Sequence, residues 1–402
     1  MRSYFVSIFA LTLLVSYSGE TVVEVRAEPQ SSEIKIGKYA SSDPLPIEDV
    51  GTTANIASYP DSVIFAHNMN FYSIIDGNIN LIDVAADTQE FMGSLAAGQM
   101  ALFAESTRRN ELYVAETYYA RGTRGEETDV LTIYDKTSLA PISEIILPGG
   151  KRAQTVTQKG SFQLIDNDRL AVVFNFTPAS SVTIVDLDTR TIQQEIPITG
   201  CMLTFPLKGA AFATLCGNGS VASYSIAANG DVREVVSEPF NNIDDDPLFM
   251  KSGRINDVEY FPTFKGNVRP IDVSTDVAKP LEQWSLVTDA ERAKNWRPSG
   301  WQIVSGQPDG NLYVLMQENG SEGSHKQGGS EVWAFDVKTK KKVNTIKLNN
   351  GGLTIEVTHG NPGYLVVTNA AMMLDVYTLD GDLERSITIN DIATPFLLYA
   401  KR

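Results

Sequence analysis

The chain has 402 residues, with 33 Lys plus Arg, 49 Asp plus Glu, three His and two Cys, for a formal net charge of -16. An acidic chain without a basic run is ill suited to nucleic acid, whose phosphates demand clustered Lys and Arg, and three His with two Cys leave little for a metal site. Hydrophobic residues at 43% and charged residues at 20% suit a globular fold of this size, able to bury a core without relying on disulfides.

The first element in chain order is an export signal. Arg2 precedes an apolar run of 14 residues from Tyr4 to Tyr17, followed by Ser18, Gly19 and Glu20. That run is shorter than the roughly 20 residues that span a bilayer, and no later run reaches that length, so residues 1–27 read as a signal peptide rather than a membrane span. Cleavage is open between Gly19 and Ala27. Removing residues 1–27 takes away Arg2, Arg26, Glu20 and Glu24, so the charge stays at -16. Export implies a periplasmic, oxidising location. Residues 28–60 are polar and small, with Ser31, Ser32, Ser41, Ser42, Pro44 and Pro46, and read as an N-terminal arm.

From residue 61 to 402 the chain alternates short runs of Val, Ile, Tyr and Phe with Gly, Asp, Asn and Pro every eight to twelve residues, an all-β pattern. One phrase recurs, a β-branched or aromatic pair followed by a small polar residue and a turn. It stands at Leu81-Ile82-Asp83, Ile133-Tyr134-Asp135, Ile184-Val185-Asp186, Ser223-Tyr224-Ser225, Pro270-Ile271-Asp272, Ala334-Phe335-Asp336 and Val376-Tyr377-Thr378. The steps between third residues are 52, 51, 39, 47, 64 and 42, in the range of four-stranded propeller blades. Seven copies predict a seven-bladed β-propeller, with each Asp or Thr bonding the backbone two residues on. The long step from Asp272 to Asp336 must hold an insertion, and Asp289 to Trp296 within it reads as a helix.

Cys201 and Cys216 lie fifteen residues apart, flanked by short apolar runs with Lys208 and Gly209 between, as expected for neighbouring strands bridged by one disulfide. The remaining candidate chemistry is thin. His67, His325 and His359 are far apart with no i,i+4 pair, so a zinc site would need three loops to converge. Asp244-Asp245-Asp246 is a carboxylate cluster of the kind that holds calcium, but the alternating oxygen ligands are missing and Pro247 interrupts it. No G-x-S-x-G elbow or phosphate cradle occurs. Arg121, Arg124 and Lys151-Arg152 are basic islands expected to be solvated or paired with Glu126, Glu127 and Asp129. The residues therefore assign no catalytic group and no metal to this chain. The chemistry is supplied by another chain or a cofactor, or the protein only binds.

Several stretches are similar to the heavy subunit of the quinoprotein amine dehydrogenases, and more so to the aromatic (aralkyl) amine dehydrogenase branch than to the methylamine dehydrogenase branch. They are Tyr118 to Asp129 (YYARGTRGEETD), Thr177 to Asp186 (TPASSVTIVD), Asp245 to Phe249, Lys294 to Trp301 (KNWRPSGW), Glu322 to Lys326 and Glu331 to Lys340 (EVWAFDVKTK), in family order from about residue 60 to the end and including the Cys201 to Cys216 spacing. The resemblance implies a propeller heavy subunit in an exported α2β2 tetramer with a small, cysteine-rich light subunit. That light subunit would carry tryptophan tryptophylquinone and the catalytic carboxylate, oxidise a primary amine to an aldehyde and ammonia, and pass electrons to a blue-copper protein of the azurin or amicyanin type. The four Trp of this chain (Trp284, Trp296, Trp301, Trp333) suit a propeller core or blade interface.

The family's heavy subunit lines the substrate channel with an aromatic side chain near the first strand. The matching segment is Val63 to Tyr72 (VIFAHNMNFY), which places that role on Phe71, with Tyr72 as the neighbour to consider because the segment departs from the family around His67 to Tyr72. The competing readings of the whole chain are a methylamine dehydrogenase heavy chain, a binding or scaffold propeller without a light subunit, and a metal-dependent propeller hydrolase.

Overall fold

A computed structural model describes residues 55–88 and 90–402 of the chain. Residues 1–27, expected to form a signal peptide, and residues 28–54 of the expected arm lie outside the described residues. From residue 63 onward the described chain forms seven antiparallel sheets, the blades of a β-propeller.

Blade 1 holds Val63–Asn68, Asn78–Asp83 and Phe91–Ala96, and its innermost strand is the chain's last, Pro395–Ala400. Blades 2 to 7 follow in order, with innermost strands Gln99–Glu105, Phe162–Ile165, Cys201–Pro206, Gly253–Ile255, Val304–Gly306 and Thr354–Val357. The ring is closed in blade 1, where Phe65 pairs with Tyr399 and Ile64 with Ala400, so hydrogen bonds between the two ends of the propeller chain complete that blade and leave only short blade edges.

Period-2 alternation explains why the strands read as near-continuous apolar runs. In Val63–Asn68, Val63 and Phe65 pack into a cluster shared with blade 2, while Ile64 and Ala66 pack into one shared with blade 7. In the second strand of blade 2 (Glu111–Tyr119), Leu112 and Val114 face blade 1, and Tyr113 and Ala115 face blade 3. Each inner strand is thus buried on both faces, as in a covered parallel sheet.

All seven recurring phrases fall in the third strand of a blade. The Asp side chains do close the following turns. Asp186 Oδ1 accepts from the backbone N–H of Asp188 and Thr189, both at 2.9 Å, and Asp135 Oδ1 accepts from Thr137 (3.0 Å) and Ser138 (2.8 Å). Asp83, Asp272 and Asp336 do the same, and Thr378 Oγ1 takes their place in blade 7. In blade 4, Ser225 instead bonds Asp276 at 3.0 Å.

The long step between phrases holds the helix Asp289–Ala293. It is shorter than the sequence suggests. Thr288 and Glu291 form a capping box at its start, and Asn295 at a φ of 55° turns the chain out so that Trp296 packs against Trp333 with ring centroids 4.9 Å apart. Beyond it the innermost strand of blade 6 is split. Arg297–Pro298 and Val304–Gly306 both pair with Asn311–Gln317, and the break between them carries Trp301. Gly300 permits the break: its φ is 137°, and a Cβ there would lie 2.6 Å from the Leu353 carbonyl oxygen.

The disulfide Cys201–Cys216 is present, between the first two strands of blade 4, where the two residues face each other in register.

Candidate functional site

In each blade the innermost strand begins, and the second strand ends, on the same face of the ring. In blade 1 the second strand, Val63–Asn68, ends there with Asn68, and the chain then turns through Asn70 at a φ of 45°. Asn68 is the hub of this turn. Its Oδ1 accepts from Asn70 N (3.0 Å) and from Thr394 N (2.7 Å), and Thr394 Oγ1 accepts from Phe71 N at 3.2 Å. The Phe71 ring meets Phe396 edge-on at 5.0 Å, and Phe396 lies 5.6 Å from Trp301. Phe71 is 39% exposed and belongs to no blade core, while Tyr72 is 77% exposed.

Trp301 leads from this row of rings into a cavity of about 530 Å³ on the propeller axis, lined by the innermost strands of all seven blades. Its Nε1–H donates to the Thr157 carbonyl at 3.1 Å. Polar side chains cross-link the cavity wall. Gln302 donates to Glu356 Oε2 (2.6 Å) and to the Leu398 carbonyl (3.0 Å), Lys159 Nζ pairs with Glu356 at 2.9 Å, and Ala400 N donates to Glu356 Oε1 at 3.2 Å. Four blades are tied together by one carboxylate. Glu259 also lines the cavity, where burial raises its carboxyl above the ordinary range against the pull of Arg254 at 3.4 Å. Sequence reading missed Gln302, Glu356 and Glu259, which sit in unrelated strands and share no motif.

The face that carries Phe71 also carries other exposed apolar side chains: Ile75 (41%), Tyr118 (46%), Phe176 (55%), Ile243 (43%) and Ile392 (52%). Between Phe176 and Ile243 lies a pocket of about 340 Å³ whose wall includes the Cys201–Cys216 disulfide, Met202, Leu215 and Met250.

The other candidates separate. His67 is fully buried in blade 1, neither ring nitrogen has a hydrogen-bond partner, and burial pushes its pKa down to about 3. His325 lies near the rings of Phe249 and Phe264, and His359 lines the axial cavity, so the three do not meet. Asp246 is committed to structure, accepting from Thr263 Oγ1 (2.8 Å), Lys265 N (2.7 Å) and Asn267 Nδ2 (2.7 Å), and Asp245 pairs with Lys265. Among the described residues, no three His, Cys, Asp or Glu side chains gather as a metal site would require.

The basic islands split. Arg152 is buried, 3.8 Å from Asp129, and donates to Thr117 Oγ1 and the carbonyls of Gln99 and Met100, whereas Lys151 pairs with Glu195 of blade 3 rather than with the blade 2 carboxylates. Sequence proximity misassigned Lys151 because the loop that carries it runs beside blade 3, where Phe176 N donates to the Lys151 carbonyl at 2.8 Å and Arg152 forms a β-bridge with Asn175. Trp333 is sealed in blade 6 with its Nε1 donating to Glu331 at 2.7 Å, and Trp284 packs on Phe335 at 5.6 Å, so both serve the core.

The sequence model of a family described as methylamine dehydrogenase heavy chain (MADH) matches residues 60–392. Methylamine dehydrogenase heavy chain of Methylorubrum extorquens is 27% identical over 350 residues, covering 85% of this chain and 82% of that protein. The heavy chain of Paracoccus versutus is 26% identical over 310 residues, covering 76% and 70%. Among solved structures, a putative 6-phosphogluconolactonase from Bacteroides fragilis superposes with a TM-score of 0.57 at 12% identity, covering 86% of this chain and 99% of that one. The dihydro-heme d1 dehydrogenase NirN gives 0.51 at 11% identity, covering 87% and 78%. These two likenesses concern the fold alone.

Proposed function

The chain belongs to the methylamine dehydrogenase heavy chain family, and from that premise we propose that it is the heavy subunit of a periplasmic amine dehydrogenase that deaminates primary amines, arylalkylamines foremost, to aldehyde and ammonia. The observation that carries the reading is Phe71. A half-exposed ring, held in place by the Asn68–Thr394 hub and backed by Phe396, is built to present a flat apolar wall to something outside the propeller.

In this reading the surrounding apolar side chains, Ile75, Tyr118, Phe176, Ile243 and Ile392, form the face on which a cysteine-rich light subunit docks in an α2β2 assembly. Exposed apolar area of this kind is characteristic of interaction surfaces. Tryptophan tryptophylquinone, carried by that light subunit, would accept the two electrons released per amine and pass them singly to a blue-copper protein of the azurin or amicyanin type. Trp333 of this chain is enclosed in blade 6 and packs with Trp296 and Phe335, which suits a structural role in the blade. What this chain contributes is shape. Phe71 packs on the amine's side chain, and the docked face excludes water from the reacting carbon.

Co-expression of the full chain with a candidate cysteine-rich light subunit from its genomic neighbourhood should give a complex that reduces a copper protein or a dye when phenylethylamine or tyramine is added. A chain that stays alone beside a cysteine-rich candidate would overturn the reading in favour of a scaffold propeller. The second substrate reading is methylamine, favoured by the names of the curated relatives. A kcat/KM for methylamine above that for phenylethylamine would select it.

A further inference from the structure

Most of the charges around the axial cavity are paired. Lys159 meets Glu356 at 2.9 Å, Arg254 meets Glu259 at 3.4 Å, and Arg402 meets Asp168 at 3.2 Å. Lys251 is different. It lines the same cavity from the loop between blades 4 and 5, and its Nζ lies 4.0 Å over the Trp301 ring. Among the described residues it has no carboxylate partner and no hydrogen-bond acceptor. Burial alone depresses it, to a pKa of about 8, and no carboxylate counters that shift. A buried ammonium resting on an indole face retains part of its desolvation penalty, because an aromatic quadrupole only partly replaces water or a counter-ion.

The groups facing Lys251 from other elements do not supply the missing anion. His325 is held below its ordinary pKa by burial and by Lys326 and Lys251, so it is neutral near pH 7. Glu356 is taken by Lys159 and Gln302, and Glu259 by Arg254. A second polar group stands open on the same cavity: the side-chain oxygen of Gln158 is buried without a donor, and an amide there is free to present its NH2 end instead.

We propose that the axial cavity binds a small apolar monocarboxylate, aliphatic or aryl, whose carboxylate pairs with Lys251 and whose body lies beside Trp301. Among the described residues Lys251 is the one Lys or Arg on the wall without a carboxylate partner, which sets the ligand's charge at one. Trp301, Phe103 and Tyr399 line the cavity and favour an apolar body over a hydrated ion. The site is independent of the amine reading, because it uses this chain's axis and nothing from a second subunit.

The test is a titration of the full chain with sodium benzoate, acetate, sulfate and chloride at constant ionic strength, followed by tryptophan fluorescence and by the unfolding midpoint. Benzoate or acetate should saturate at least tenfold more tightly than sulfate or chloride. Lys251→Met should weaken that binding at least tenfold, Lys251→Arg should retain it, and Lys326→Met should leave it unchanged. Apparent affinity should fall as pH rises through about 8, where Lys251 loses its charge. Binding by Lys251→Met equal to that of the natural chain would overturn the proposal, as would a linear response common to all four salts. Either failure leaves the amine-oxidation assay untouched, so the two readings fall separately.

Discussion

Two buried or half-buried side chains of blade 1 carry opposite expectations. Phe71 is held at the rim by the Asn68 and Thr394 hydrogen bonds, meets Phe396 edge-on and stays 39% exposed. Phe71→Ala should therefore cost about 2 kcal/mol, from the partly buried ring and its one aromatic pair, rather than the 3–5 kcal/mol of a core aromatic. In the assembled enzyme the same change should alter the ratio of kcat/KM between phenylethylamine and smaller amines. A midpoint drop of core size with an unchanged ratio would place Phe71 among the structural residues. His67 is the reverse case. With its folded pKa pushed down to about 3 from an unfolded value near 6.5, the unfolded chain binds a proton that the folded chain refuses between those values. Stability contributed by neutral His67 is therefore present above pH 6.5 and is lost as pH falls toward 3, by about 1.4 kcal/mol per unit within that window. His67→Leu, with denaturant unfolding followed from pH 7 to 4, should flatten this part of the profile. An identical slope in both proteins would contradict it.

At the scale of elements, the hairpin of blade 4 is the one covalently closed unit among the described residues. Its disulfide joins Cys201 to Cys216 across a register pair and closes a loop of fifteen residues, for which chain entropy gives about 3 kcal/mol. Replacing both cysteines with Ser should lower stability by up to that amount while the sheet signal in circular dichroism persists, because blade 4 also packs through Phe205, Phe212 and Tyr224 into the apolar cluster it shares with blades 3 and 5. Loss of the folded state on reduction would show instead that the bridge, and not that cluster, holds the blade. The turn residues were the most legible elements in the sequence. A carboxylate two or three residues before free N–H groups satisfies them locally, so Asp186 and Asp135 announce their turns without reference to any other blade.

The propeller as a whole depends on closure. Pro395–Ala400 is the innermost strand of the blade that begins with Val63–Asn68, and Gln302 and Glu356 bond its backbone at Leu398 and Ala400. Deleting residues 395–402 would expose the inner edge of blade 1 and strand those polar groups at the axis. The truncated chain should fail to reach a soluble, cooperatively unfolding state in size-exclusion and thermal measurements. A folded monomer from that deletion would mean that six blades and an open edge suffice.

What the residues determined by themselves was whatever local chemistry enforces. The number of blades followed from seven recurring phrases, the helix from the stretch beginning at Asp289, and the disulfide from two cysteines fifteen residues apart between apolar runs. What only the tertiary structure decided was which distant side chains meet. Lys251 came to lie over Trp301 because a glycine-dependent break in blade 6 turns that indole toward the axis, and Gln302 reached Glu356 because neighbouring blades bring their inner strands together. Lys151 found Glu195, on the outermost strand of blade 3, rather than the nearby acidic run, because its loop runs beside that blade. Turns are satisfied within a few residues of chain, whereas a channel is assembled from one strand of every blade, and its contents depend on ring closure more than on any segment's own pattern.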